Sequence, residues 1–164
     1  MLLRWWRYLW GNRDEVAALD GKDAELARIV LRIHRHRRGI DWRFVPMAAI
    51  APIHPINRPT ALASAEERAA RIRPIADALR AEARIGRDRL QAVLPSVSAI
   101  KLVEIAPGRF VSFEGNGRLA ALRSVFTDAA ALEIECELYD IAHATRLLRR
   151  IERLRLAHGF AADD

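Results

Sequence analysis

The chain predicts a mixed α/β domain of the α+β class, with about four short strands, helices packed on them, and an added helix at each end. Three observations carry this. Apolar residues recur at helical spacing near both termini, in Leu26, Ile29, Val30 and Ile33 and again in Leu147, Leu148, Ile151 and Leu154. Between them lie runs rich in β-branched and aromatic residues, around Phe44, from Ile100 to Ile105 and from Phe110 to Phe113. With 164 residues, 51% of them hydrophobic, the chain has the size and apolar content of one domain. We read a helical extension over 1–41, a core over 42–140 and a closing helix over 141–164.

A first helix is expected over about 22–38, with Arg28, Arg32 and Arg35 opposite the apolar face and Gly39 as its left-handed cap. The run from His34 to Arg38 reads as a solvated, cation-rich last turn, favourable to the helix dipole. A strand follows near 42–47. The segment Ala51 to Pro59 contains three prolines and reads as an extended loop, the kind of segment that often carries ligands. Ser64 to Glu67 has the form of a capping box, so a helix is expected there, with Ala70, Ile72 and Leu79 facing inward and Pro74 kinking or restarting it. A second helical piece over about 86–94 stops before Pro95. Ile100 to Ile105 and Phe110 to Phe113 form a hairpin turned by Pro107 and Gly108. Leu132 to Tyr139 alternates apolar residues with Glu133, Glu135 and Glu137, as a strand does. The final helix, over about 142–158, sets its apolar stripe against Arg146, Arg149, Arg150, Arg153 and Arg155, with Gly159 as the stop.

The most informative stretch runs from Gly108 to Arg123. Phe110, Val111 and Phe113 suit a strand, Glu114-Gly115-Asn116-Gly117 breaks it, and Leu119, Leu122, Val125 and Phe126 recur at helical spacing. A helix start presents unpaired N–H groups and a partial positive charge, and glycines let a phosphate approach the backbone. Arg118 adds a forked cationic donor and Glu114 a carboxylate. The pattern is an anion site. The plainer reading is a strand-to-helix turn with a solvated arginine and with Glu114 paired to Arg118 or Arg123.

Phe-Val-Ser-Phe-Glu-Gly-Asn-Gly-Arg-Leu-Ala-Ala-Leu resembles the strand, Asp/Glu-Gly-x-x-Arg, Ala-rich helix signature of the ParB/sulfiredoxin-like superfamily. Phe44 to Pro52, followed by His54 and by Asn57-Arg58-Pro59, resembles that family's opening strand and Asn-Pro-Arg segment, with the order of the last two residues exchanged. The resemblance covers roughly 42–140 and implies a nucleotide triphosphate, ATP or CTP with Mg2+, held by Gly115, Asn116, Gly117 and Arg118 together with His54, Asn57 and Arg58. It also implies hydrolysis or phosphate transfer, with Glu114 positioning water or a hydroxyl. Sulfiredoxins carry a reactive cysteine inside this turn, where the chain has Asn116, so sulfinic acid reduction is not expected. The Gly-Asn-Gly-Arg run is also similar to the phosphate loop of Fic nucleotidyl transferases. Phe110 and Ala121 stand where those enzymes need a histidine and a second arginine.

The net charge of +6 admits nucleotide, nucleic acid or an anionic surface as partner, and DNA binding by the arginine-rich terminal helices is the alternative function. All but two of the 27 cations, Lys22 and Lys101, are arginine, so source composition accounts for much of the excess. The single cysteine, Cys136, excludes an internal disulfide and a cysteine zinc cluster, reads as buried and structural, and points to a reducing, cytoplasmic setting. No stretch reaches the ~20 apolar residues of a membrane span. Trp5, Trp6 and Trp10 concentrate near the N-terminus, where docking on protein is expected and insertion into a membrane interface, with Arg4 and Arg7 reaching headgroups, is the alternative. The last helix also offers a seam for a homodimer.

Overall fold

The computed structural model describes residues 21–128, 132–142 and 144–161. The tryptophan-rich N-terminal stretch and its docking lie outside the described residues. Helix α1 (Gly21–His36) buries Ile29 and Ile33 and passes without a loop into β1 (Arg37–Pro46). Gly39 is therefore not a helix cap. Pairing of Arg37 with Ile141 draws the chain straight into the sheet, and Gly39 sits at the irregularity between the two registers, so the strand expected near 42–47 starts five residues earlier.

A 3-10 turn (Met47–Ala49) leads to β2 (Ile50–Pro52), and the proline-rich loop ends where α2 (Pro59–Ile72) begins. The capping box expected at Ser64 lies inside that helix. Pro59 starts it instead, because a first-turn residue needs no N–H and proline's φ already suits a helix. Pro74 interrupts the helix as expected, through a 3-10 turn (Arg73–Ile75), and α3 (Ala76–Glu82) follows. Next come a two-residue strand β3 (Arg84–Ile85), α4 (Arg87–Val93), the hairpin β4 (Lys101–Ala106) and β5 (Arg109–Glu114), α5 (Asn116–Val125), β6 (Glu133–Ile141) and α6 (Thr145–Ala157). Gly159, at φ +86°, follows α6 as expected.

The fold is mixed α/β, with six strands among the described residues where about four were expected. The order is β1-β6-β4-β5-β2, with β3 parallel to the start of β6. β1 runs antiparallel to β6, β4 parallel to β6 and antiparallel to β5, and β2 parallel to β5. Two-residue alternation sends neighbouring side chains to opposite faces. Leu102, Phe110, Ile134 and Cys136 join α2 to α5 in one core, while Val103, Val111, Phe113, Tyr139 and Ile141 join α1 and α6 in a second. Cys136 is buried, and that burial pushes its thiol up to about 12, which fits an inert packing residue.

Helices α1 and α6 lie side by side, clasped where Arg150 donates to Glu25 at 2.6 and 3.0 Å. Arg28, Arg32, Arg35, Arg146, Arg149 and Arg153 are exposed. Arg155 departs from the expected solvated face. It is buried, donates from Nε to the Pro52 carbonyl at 3.2 Å and lies 5.3 Å from the Phe160 ring centroid, because the end of α6 closes over β2. No described helix is long and apolar enough to cross a membrane.

Candidate functional site

The turn from β5 into α5 exists because Gly115 can adopt φ +85°. A β-carbon there would also stand 2.9 Å from the Ile100 Cα, so glycine is required by conformation and by space. The N–H groups of Arg118 and Leu119 both bond to the Gly115 carbonyl, at 3.0 and 3.1 Å, which starts the helix at the expected place. The preceding N–H groups are the donors an α-helix leaves without an intrahelical partner.

Two arginines converge on this first turn. A β-carbon on Gly117 would lie 3.0 Å from Nη1 of Arg68, so the guanidinium of α2 rests directly against the glycine. Arg68 makes no hydrogen bond or ion pair among the described residues, whereas its neighbours Glu66 and Glu67 are each engaged at 2.7 Å, by Arg73 and Arg71. Arg118 turns inward. It is 4% exposed and its guanidinium donates to the Ser98 carbonyl, so the expected solvent-facing ligand is in large part a tie between α5 and the loop before β4. Burial, and after it the charge of Arg68, hold its pKa below the ordinary guanidinium value. Asn116 is 8% exposed, and its Oδ1 is buried without a hydrogen-bond partner among the described residues.

Glu114 pairs with neither Arg118 nor Arg123. It accepts from Nζ of Lys101 at 2.7 Å and from Nε2 of His34 at 2.9 Å. Burial alone would raise its pKa, but the hydrogen bonds from Lys101 and then His34 outweigh burial and hold the carboxyl below its usual range. Burial likewise opposes the charge on Lys101, and the bond to Glu114 outweighs it, so the ammonium pKa is raised. His34 stands edge-on to Phe113 and Tyr139, with centroids 5.7 and 5.4 Å away. Arg123 donates to the carbonyls of Met47 and Ile50, which makes it a tie between α5 and the segment around β2.

The remaining predicted residues stand apart. His54, Asn57 and Arg58 line a cleft of about 610 Å³ with Lys22, Asp23 and His158, and none of residues 114 to 118 lines it. Arg58 is paired to Asp23 at 2.5 Å, and His54 Nδ1 donates to the Pro55 carbonyl at 2.9 Å. Among the described residues no hydrogen bond or ion pair joins His54, Asn57 or Arg58 to the glycine turn. The turn instead gathers Arg68, Lys101 and His34, which sequence reasoning did not select. Lys101 was within reach, because the hairpin register sets it opposite Glu114. His34 and Arg68 arrive from helices on opposite faces of the sheet and carried no such signal.

Among the described residues no group of three or more histidine, cysteine, aspartate or glutamate side chains could hold a metal ion. Comparison with known proteins finds no matching family model, no similar curated protein and no similar solved structure.

Proposed function

We propose that the chain binds a nucleoside triphosphate, ATP or CTP, at the first turn of α5. The observation that carries this is Arg68, a guanidinium without a carboxylate partner among the described residues, resting on Gly117 at a helix start. Phosphate oxygens would receive the first-turn N–H groups and Arg68, with Gly117 leaving room for the approach. Arg118 would add charge from beneath while keeping its bond to Ser98. The ParB/sulfiredoxin-like resemblance of Phe110 to Leu122 supports the same ligand, and Mg2+ would enter with the triphosphate, largely on water and phosphate oxygens. Glu114 is a weak proton acceptor, since the hydrogen bonds from Lys101 and His34 stabilise its charged form. The geometry thus favours binding over hydrolysis or phosphate transfer, in which Glu114 would orient water.

Calorimetry with the four ribonucleoside triphosphates, with and without Mg2+, tests this. Submillimolar binding of at least one is expected. Arg68→Ala should then weaken it by about 1.5–3 kcal/mol with little effect on folding, because the side chain is only half-buried. Binding weaker than millimolar for all four defeats the reading. Phosphate release in the same samples separates an enzyme from a binding module.

The packing of α1 against α6 supports a second reading, DNA binding by the exposed arginines of both helices. It would be non-specific and salt-dependent, with each neutralised phosphate adding roughly −0.9 to the slope of log affinity on log salt. A duplex titration at two salt concentrations checks it, and a flat response removes it.

A further inference from the structure

Strand β1 is the outermost strand of the sheet, and of its ten residues Val45 alone is buried. On one side it pairs with β6. Among the described residues nothing pairs with its other edge. A long unpaired edge is a template for another strand, and proteins commonly blunt such edges with bulges, prolines or charges. Here the irregularity between Arg37 and Gly39 sits at one end and Pro46 at the other, and the two charges between them, Asp41 and Arg43, are of opposite sign. The stretch between the irregularity and Pro46, 39–45, holds no bulge or proline and has Trp42 at its midpoint.

About that midpoint the sequence is self-complementary. Ile40, Trp42 and Phe44 share one face and remain 43%, 39% and 37% exposed, an unusual stripe of large apolar side chains. Arg87 and Arg84 lie over the Trp42 and Phe44 rings at 5.1 and 5.4 Å, which orders them on the sheet. Asp41 and Arg43 occupy the other face, their side chains 69% and 51% exposed. Their 3.6 Å contact within the strand is a loose surface pair.

We propose that β1 pairs with β1 of a second copy of this chain, antiparallel about a two-fold axis at Trp42, so that two sheets become one. In that register Ile40 faces the partner's Phe44, Trp42 faces itself, and Asp41 faces the partner's Arg43. Each unlike pair occurs twice, as a two-fold interface requires. Shifting the register by two residues would set Arg43 against itself or Asp41 against itself across the axis on the charged face, so the charges select this alignment. This differs from a seam on the last helix, and it is independent of nucleotide binding.

Sedimentation equilibrium of the full chain without nucleotide, from about 5 to 500 μM, is the test. A monomer–dimer equilibrium is expected. Asp41→Arg and Arg43→Asp should each weaken it about tenfold or more, since two attractive cross-strand pairs become two repulsive ones. The double reversal should recover the wild-type constant to within about threefold. Both positions are exposed, so the variants should keep the wild-type circular dichroism. A chain monomeric throughout this range, as when its own residues 1–20 cover the edge, overturns the proposal. So do single reversals without effect, or a double reversal no tighter than the singles.

Discussion

Glu114 shows what one carboxylate can contribute when donors meet it from two elements, Lys101 of β4 and His34 of α1. Its pKa is depressed, so its contribution to stability is complete above its ordinary value of 4.5 and is lost as pH falls through the folded value. Lys101 has the opposite sign. Its raised pKa contributes fully below 10.5 and is lost as pH rises through the folded value. Glu114→Gln keeps the shape and removes the charge, which should cost about 1–2 kcal/mol at neutral pH, the scale of a charged hydrogen bond that is part-buried. Denaturant unfolding across pH should find wild type and variant converging below about pH 4.5, the ordinary carboxyl value. A difference that does not shrink as the pH is lowered below 4.5 would show that the glutamine fails for packing reasons and that the charge is incidental.

At the scale of elements, the two glycines of the turn separate folding from binding. Gly115→Ala must hold a β-carbon at positive φ against the backbone of Ile100, so it should lower stability by about 2 kcal/mol or more. Gly117→Ala meets only the mobile end of Arg68, which can swing aside at little cost. It should therefore leave the melting temperature within a few degrees of wild type and weaken triphosphate binding, because the methyl displaces Arg68 and occupies the phosphate's approach. Thermal melts and calorimetry on both variants check the contrast. Equal loss of stability would remove Gly117 from the site. The strand, turn and helix around these glycines were legible because each is a local pattern. What was not legible came from pairing between distant segments. Gly39 looks like a cap until β6 claims the residues before it, β3 is only two residues long and exists through its partner, and Arg155 reads as solvated until β2 lies beneath it. The site divided along the same line. Glu114 to Arg118 are contiguous and were found together, whereas His34 and Arg68 become neighbours of the turn only when helices from both faces close on the sheet.

For the whole molecule, the question is whether the terminal helices are additions to a finished core or part of it. The strands answer through adjacent residues. Leu102 faces the core under α2 to α5 and Val103 faces the core under α1 and α6, and Phe110 and Val111 divide in the same way. A strand cannot lose one neighbour's packing and keep its own position, because interiors pack at crystal-like density. Glu114 reinforces the coupling by holding His34 of α1 at the end of β5, where the glycine turn begins. The two cores should therefore unfold as one unit. Ile33→Ala empties the terminal-helix core and Leu102→Ala the other, both at fully buried positions, and each should cost about 2–5 kcal/mol. Calorimetry should show one transition in both variants, shifted down by comparable amounts, with calorimetric and van't Hoff enthalpies equal. An early, separate transition in Ile33→Ala alone would mean that α1 and α6 detach first, leaving the sheet and the glycine turn as an independently folded body.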